Sequence, residues 1–169
     1  MDFMELAEKR HSVRSYKSDP VEDEKLEKIL QVARLAPTAC NLQAFKIIVI
    51  RTKGREEELK QIYGRDWFVA PPYVLCICTL TEKCWVRRRD GKSYGDVDSA
   101  IVMDHIILAS AEQGLGTCWI GAFDAGAAKR VLELDASMEP VAFTPLGYEK
   151  EDFAMRKTRK SMEELVVYK

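Results

Sequence analysis

The sequence predicts an α+β fold, helices packed on a β-sheet, and three observations carry that prediction. Apolar residues recur at helical spacing in two long stretches, residues 22–33 and 96–113. Runs rich in Ile, Val, Phe and Cys at 45–51, 73–80 and 140–147 suit strands. Proline and glycine stand at the junctions between these stretches, so each reads as a separate element. At 169 residues the chain has room for one domain, residues 1–169, with a sizeable core.

Taken in order, the first element is a helix on which Phe3, Leu6 and Ala7 form an inward stripe. Arg10 and Arg14 continue that stripe where apolar residues belong, and a guanidinium inside a protein requires an anion to meet it. With the Ser12 hydroxyl beside them, they read as a socket for a phosphate or similar group. The alternative is a helix end whose arginines pair with Glu5, Glu8 or water. A second helix carries Glu22, Asp23 and Glu24 in its first turn, where the dipole favours them, and buries Leu26, Ile29, Leu30 and Ala33. Pro37 ends it, and the polar loop 37–43 leads into a strand, 45–51, that reads as central.

A short charged helix after Gly54 is anchored by Leu59 and Ile62, and Ala70-Pro71-Pro72 stops the segment of Trp67 and Phe68 before the strand 73–80. Residues 81–95 are aperiodic and read as an exposed excursion long enough to cover a site. The core helix 96–113 carries Val97, Ala100, Ile101, Asp104, Ile107, Leu108 and Ala111 on or near one face, with His105 as a satisfied core histidine. Gly114-Leu115-Gly116 terminates it, and a strand at 117–120 breaks at Gly121, where a ligand can approach the backbone. Asp124 caps a fourth helix through Leu132, a fourth strand covers 140–147, and the tail holds Lys157 and Arg159. The apolar end, 165–168, reads as a last strand that docks on its own sheet or on a second subunit.

Composition excludes several classes of function. With 26 basic and 27 acidic residues there is no global field to attract nucleic acid or an anionic membrane. No stretch reaches transmembrane length and residues 1–5 lack the features of a signal peptide, so a cytoplasmic protein is expected. Five cysteines is an odd number, and Cys76 and Cys78 lie in a strand-like run, as reduced core thiols do. His11 and His105 have no cysteine or carboxylate partners at ligand spacing, so no metal site is expected. Cys40 is the one thiol in a candidate site and lacks an identifiable activating base.

Three motifs in this order resemble the nitroreductase family of FMN-dependent oxidoreductases: Arg10-His11-Ser12-x-Arg14, the loop from Pro37 to Gln43, and Gly114-Leu115-Gly116-Thr117-x-Trp119-Ile120-Gly121, with Lys157-x-Arg159 near the C-terminus. The resemblance implies a central mixed sheet with helices on both faces and an interlocked homodimer with two flavins at its interface. It implies that Arg10, Ser12, Lys157 and Arg159 hold the phosphate end of FMN, with His11 nearby, and that Arg14 faces the N1 and O2 edge of the ring. Asn41 would hydrogen-bond the pyrimidine edge, backbone N–H groups of Ile120 and Gly121 would lie near N5 and O4, and Pro37, Thr38 and Ala39 would pack on the ring bound mainly by the other subunit. The implied reaction is ping-pong. NADH or NADPH reduces the flavin, and an electron-poor small molecule such as a nitroaromatic or quinone takes the electrons. Hydride transfer is the cofactor's chemistry, so no catalytic side chain is assigned.

The chain departs from the family pattern at Ala44, where proline is usual, at Thr38 and Cys40, where serine or glycine is common, and in the shortness of 81–95, where some members build a helical lid. The missing lid permits a second reading, a protein that stores FMN or senses its redox state, whereas the short middle segment disfavours a third, a specialised branch such as a dehalogenase or a flavin-destroying enzyme.

Overall fold

The computed structural model describes residues 1–150 and 157–169. Its elements in chain order are α1 (Phe3–Lys9), α2 (Asp23–Arg34), β1 (Phe45–Arg51), α3 (Glu56–Lys60), α4 (Asp66–Val69), β2 (Tyr73–Leu80), β3 (Val86–Arg87), β4 (Lys92–Ser93), α5 (Gly95–Glu112), β5 (Gly116–Thr117), α6 (Ala125–Val131), β6 (Met138–Gly147) and α7 (Met162–Leu165). Strand β2 is the axis, with every residue from Tyr73 to Thr79 buried. Its side chains alternate between two cores, as the two-residue period of a strand requires. Tyr73, Leu75 and Ile77 meet Ile29 and Ala33 of α2 and Val102, Met103 and Ile106 of α5. Val74, Cys76 and Cys78 meet Leu59, Ile62, Phe68 and the alanines of α6 on the opposite face. Helices therefore cover both faces, and Cys76 and Cys78 are free thiols inside the second core.

The sheet runs β1-β2-β6-β5 with antiparallel neighbours throughout. Its mixed character comes from one parallel bridge, Ser12 to Thr117. Strand β1 is at the edge of this sheet, not at its centre. An Ile- and Val-rich run suits either position, and only Ile50 is fully buried, with Val49 38 % exposed.

Three further expectations change. Helix α1, closed by an Asp2–Glu5 capping box, stops at Lys9, and none of its residues is buried, Phe3 being 68 % exposed. Residues beyond it are extended because tertiary partners take their backbone groups: Val13 N–H donates to Thr117 O, and Lys17 N–H to Tyr148 O. On α5 the inward face is Asp98, Ser99, Val102, Met103, Ile106, Ile107, Ala109 and Ser110, so Ile107 is buried as expected, whereas Val97 and Asp104 are exposed. This helix is apolar on nearly every side, so periodicity could not choose the face. The tail forms the short helix α7 and then an extended, exposed end, with Tyr168 92 % exposed and no strand partner among the described residues. Residues 81–95 hold the hairpin β3–β4, pinned by an edge-on contact of Trp85 and Tyr94 with centroids 5.0 Å apart.

Candidate functional site

The extended segment after α1 lies across the ends of β5 and β6 and gathers the cations that the sequence singled out. Gly116 permits this crossing, since a Cβ there would sit 2.8 Å from a Val13 methyl. Arg10 is the C-terminal cap residue of α1. Lys157, more than a hundred residues downstream, donates to Ala7 O at 2.5 Å. The Lys157 ammonium is lowered from its ordinary value by burial and then by the charges of Arg10 and Arg159, with Glu8 opposing. Like charges close enough to depress one another are unfavourable unless an anion sits among them. Among the described residues Arg10, Arg14, Lys157 and Arg159 make no ion pair. A cavity of about 100 Å³ adjoins Arg10 and is lined also by Lys9, His11, Gly114, Thr117 and Glu149.

Arg14 points to a second, wider hollow of about 440 Å³, shared with Tyr63, Arg65, Asp66 and Trp67. Its guanidinium carbon lies 6.0 Å from the centre of a Trp67 ring, and Tyr63 meets Trp67 edge-on at 5.6 Å. Cys118, 3 % exposed, lies within reach of both arginines: its thiol is pushed up by burial while Arg14, Ser12 and Arg10 pull the other way. Arg65, Trp67 and Cys118 escaped the sequence reading, because nothing in their spacing marks them and only folding brings them to the motif.

The loop 37–43 has an unusual backbone: Cys40, Asn41 and Gln43 have φ of 51°, 53° and 50°. Left-handed geometry favours glycine or asparagine, so Cys40 is a strained occupant of its position. Gln43 N–H donates to Thr38 Oγ1 at 3.0 Å, and Gln43 Nε2 donates to Asn41 Oδ1 at 3.2 Å. From below, Asp98 of α5 accepts Ala39 N–H on Oδ1 at 2.9 Å. Asp98 is 3 % exposed, and its Oδ2 has no partner among the described residues. No hydrogen bond or ion pair among the described residues joins Pro37, Thr38, Ala39 or Asn41 to the Arg10 group. At the third motif the Ile120 N–H donates to Phe143 O at 2.9 Å, so it is not available to a ligand as expected. Gly121 N–H makes no hydrogen bond among the described residues. A wider cavity, about 1050 Å³, lies elsewhere, between residues 18–23, 51–56 and 69–73, and contains none of these side chains.

A family model described as "Nitroreductase family" matches residues 7–73 and 55–148. A crystal structure of a nitroreductase family protein from Clostridium difficile 630 superposes with a TM-score of 0.92 at 37 % identity, over 99 % of this chain and 98 % of that one. A second, from Clostridium novyi NT, gives 0.82 at 28 % identity over 97 % and 91 %. A Methanothermobacter thermautotrophicus protein whose provisional name pairs NADH dehydrogenase with NAD(P)H nitroreductase is 28 % identical over 162 residues, 90 % of this chain and 80 % of that protein. Proteins named NADPH-dependent oxidoreductase from Staphylococcus aureus are 24 % identical, and the chain spans 64 % of their length. The matched motifs, the shared sheet and this near end-to-end superposition make the chain a member of the nitroreductase family and an oxidoreductase.

Proposed function

We propose that the chain, as one domain over residues 1–169, binds FMN and uses NADH or NADPH to reduce an electron-poor small molecule such as a nitroaromatic or a quinone, working as a homodimer. The observation that carries this reading is the gathering of three cations: the Lys157 ammonium is lowered by burial and then by the charges of Arg10 and Arg159, and a hollow of about 100 Å³ adjoins Arg10. What FMN supplies when bound is two-electron redox chemistry in ping-pong order, with the nicotinamide as donor and the small molecule as acceptor.

The chain's own part is binding, placement and charge. Arg10, Lys157, Arg159 and the Ser12 hydroxyl are donors suited to phosphate oxygens, with His11 beside them. Arg14 brings a fixed cation that favours negative charge developing on any group held against it. The Gly121 N–H and the side-chain amide of Asn41 are donors left for a ring edge, and Trp67 and Tyr63 flank the wider hollow with flat apolar faces. No side chain is assigned as acid or base.

The homodimer draws support from unpartnered surface. Phe3 and Met4 on α1, Leu35 after α2, and Leu165, Val167 and Tyr168 in the tail are all exposed, and β1 offers an open sheet edge. A second subunit also explains the separation of the loop 37–43 from the cations of its own chain, since that loop would then serve the neighbour's flavin. No described helix is long and apolar enough to cross a membrane, which suits work in the cytoplasm.

The test is an absorbance spectrum of the purified protein followed by turnover. A yellow protein, or one that becomes yellow with added FMN, that consumes NADH or NADPH steadily when a quinone is supplied supports the proposal. A single reduction that then stops indicates a storage or redox-sensing protein. Failure to take up FMN at all removes the flavin reading.

A further inference from the structure

We infer that His11 is a positioning residue, held as an imidazolium by Glu149, and that this pair latches the segment carrying Arg10, Ser12 and Arg14 and adds a positive charge to the anion socket. The inference rests on the proposed role of that socket, but its first support is stereochemical. His11 Nδ1 lies 3.1 Å from Lys9 O, and Nε2 lies 3.0 Å from Glu149 Oε1. A carbonyl oxygen and a carboxylate both only accept. A neutral imidazole has one N–H and can serve one of them, so only the protonated ring makes both bonds.

The surroundings agree with the charged form. The hydrogen bond to Glu149 is the largest influence raising His11 above its ordinary value, and the Lys9 carbonyl and the Glu149 charge add to it, while burial and the Arg10 charge oppose. The titratable groups around the adjoining hollow are Lys9, Arg10 and Glu149, and the remaining lining from α5, the following turn and β5 carries none. Glu149 is thus the one described anion there. The two side chains are 21 % and 22 % exposed, so their attraction is only partly screened.

Position gives the pair its consequence. Glu149 lies two residues beyond β6, where the chain runs back along the segment after α1: Lys17 N–H donates to Tyr148 O at 2.8 Å, and Lys150 N–H to Ser15 O at 3.0 Å. The latch closes the open end of this short ladder, joining the residue between Arg10 and Ser12 to the turn after β6. Loss of the proton removes one charge from the socket and one of the two bonds that hold His11.

Only two histidines occur in the sequence, so both can be followed by NMR, with His11→Gln identifying the signal. His11 is expected to titrate above the ordinary 6.5 in the wild type and to fall to that value or below it in Glu149→Gln. FMN affinity is then measured by fluorescence on both sides of the His11 midpoint found by NMR, with His11→Gln as the control for the second phosphate ionisation at about 6 and riboflavin as the comparator that lacks phosphate. The wild-type Kd for FMN should weaken about tenfold in step with the His11 titration, the Kd of Glu149→Gln should be weak and flat, and riboflavin should show no such step. A wild-type His11 that titrates at or below 6.5, or FMN affinity that stays level through the His11 midpoint, overturns the latch. A protein that binds FMN at no pH defeats the flavin reading instead, and the His11 titration still decides whether the latch exists.

Discussion

At the scale of single residues, Arg14 separates mechanism from mere binding. Its guanidinium has no carboxylate partner among the described residues and faces the hollow with Trp67 and Arg65. Arg14→Gln keeps volume and donors while deleting charge. It should lower the midpoint potential of the FMN-loaded protein by some tens of millivolts, since about 1.4 kcal/mol of differential interaction corresponds to about 30 mV for two electrons. An equal or higher potential in redox titration would remove this role. Arg10→Ala tests the other hollow. Loss of one charge-assisted phosphate contact costs about 2 kcal/mol, or about 30-fold in FMN affinity by titration, with the fold intact by circular dichroism. His11 ties stability to pH as well. Its folded value lies above 6.5, so the stabilisation by Glu149 is complete below that pH and fades as pH rises through the raised value. Urea unfolding should therefore show wild type ahead of Glu149→Gln by up to about 1 kcal/mol in mild acid, narrowing in alkali. The arginines were singled out by a helical stripe that ends before them, since α1 stops at Lys9 and buries none of its residues, and they were legible through the spacing of the motif Arg10-His11-Ser12-x-Arg14. Glu149 and Asp98 were not, because their partners lie 138 and 59 residues away and only folding creates the pair.

At the scale of elements, close approach and loop support decide whether the motifs meet. A Cβ on Gly116 would fall 2.8 Å from a methyl of Val13, which is β-branched, 3 % exposed and unable to turn aside freely. Gly116→Ala should cost about 1–3 kcal/mol in urea unfolding and weaken FMN binding by spreading the crossing of the two segments. An unchanged midpoint would show that the crossing is looser than this. Asp98 supports the other motif. Asp98→Ala removes the acceptor for Ala39 N–H, so hydrogen exchange at residues 38–41 should quicken, by about tenfold for the loss of one hydrogen bond, while Asp98→Asn retains Oδ1 and much of the protection. Uniform exchange in all three proteins would refute the support. The same two contacts show why elements were easier to read than their places. Boundaries of α2, β2 and β6 follow Pro, Gly and alternation in the sequence, but which strand lies at the edge and which side of α5 faces inward depend on partners far along the chain. On α5 the small buried residues Ser99, Ala109 and Ser110 share the core face with Val102, Met103, Ile106 and Ile107, while the equally apolar Val97 is exposed.

At the scale of the whole molecule, the tail and the sheet edge make one argument. Residues 165–168 are apolar and follow the basic pair Lys157 and Arg159 proposed for the anion socket, yet Leu165, Val167 and Tyr168 are 60 %, 76 % and 92 % exposed. Leaving three such side chains in water forgoes burial worth about 1.5–3 kcal/mol for each large apolar residue. The backbone after α7 is already extended at Val166, with φ −119° and ψ 130°, and β1 has one edge without a neighbour among the described residues. An extended apolar segment and an unpaired edge are complementary in hydrogen bonding, and exchange between two copies would satisfy both by a closed two-fold arrangement. Truncation after Lys160 keeps Lys157 and Arg159 in the chain but deletes the segment that would anchor them. It should therefore yield monomers or aggregates in sedimentation and, although every cation of the socket is retained, lose FMN. A truncated protein that sediments as a dimer and holds FMN would place the tail outside the assembly, and the open edge of β1 would then need another occupant.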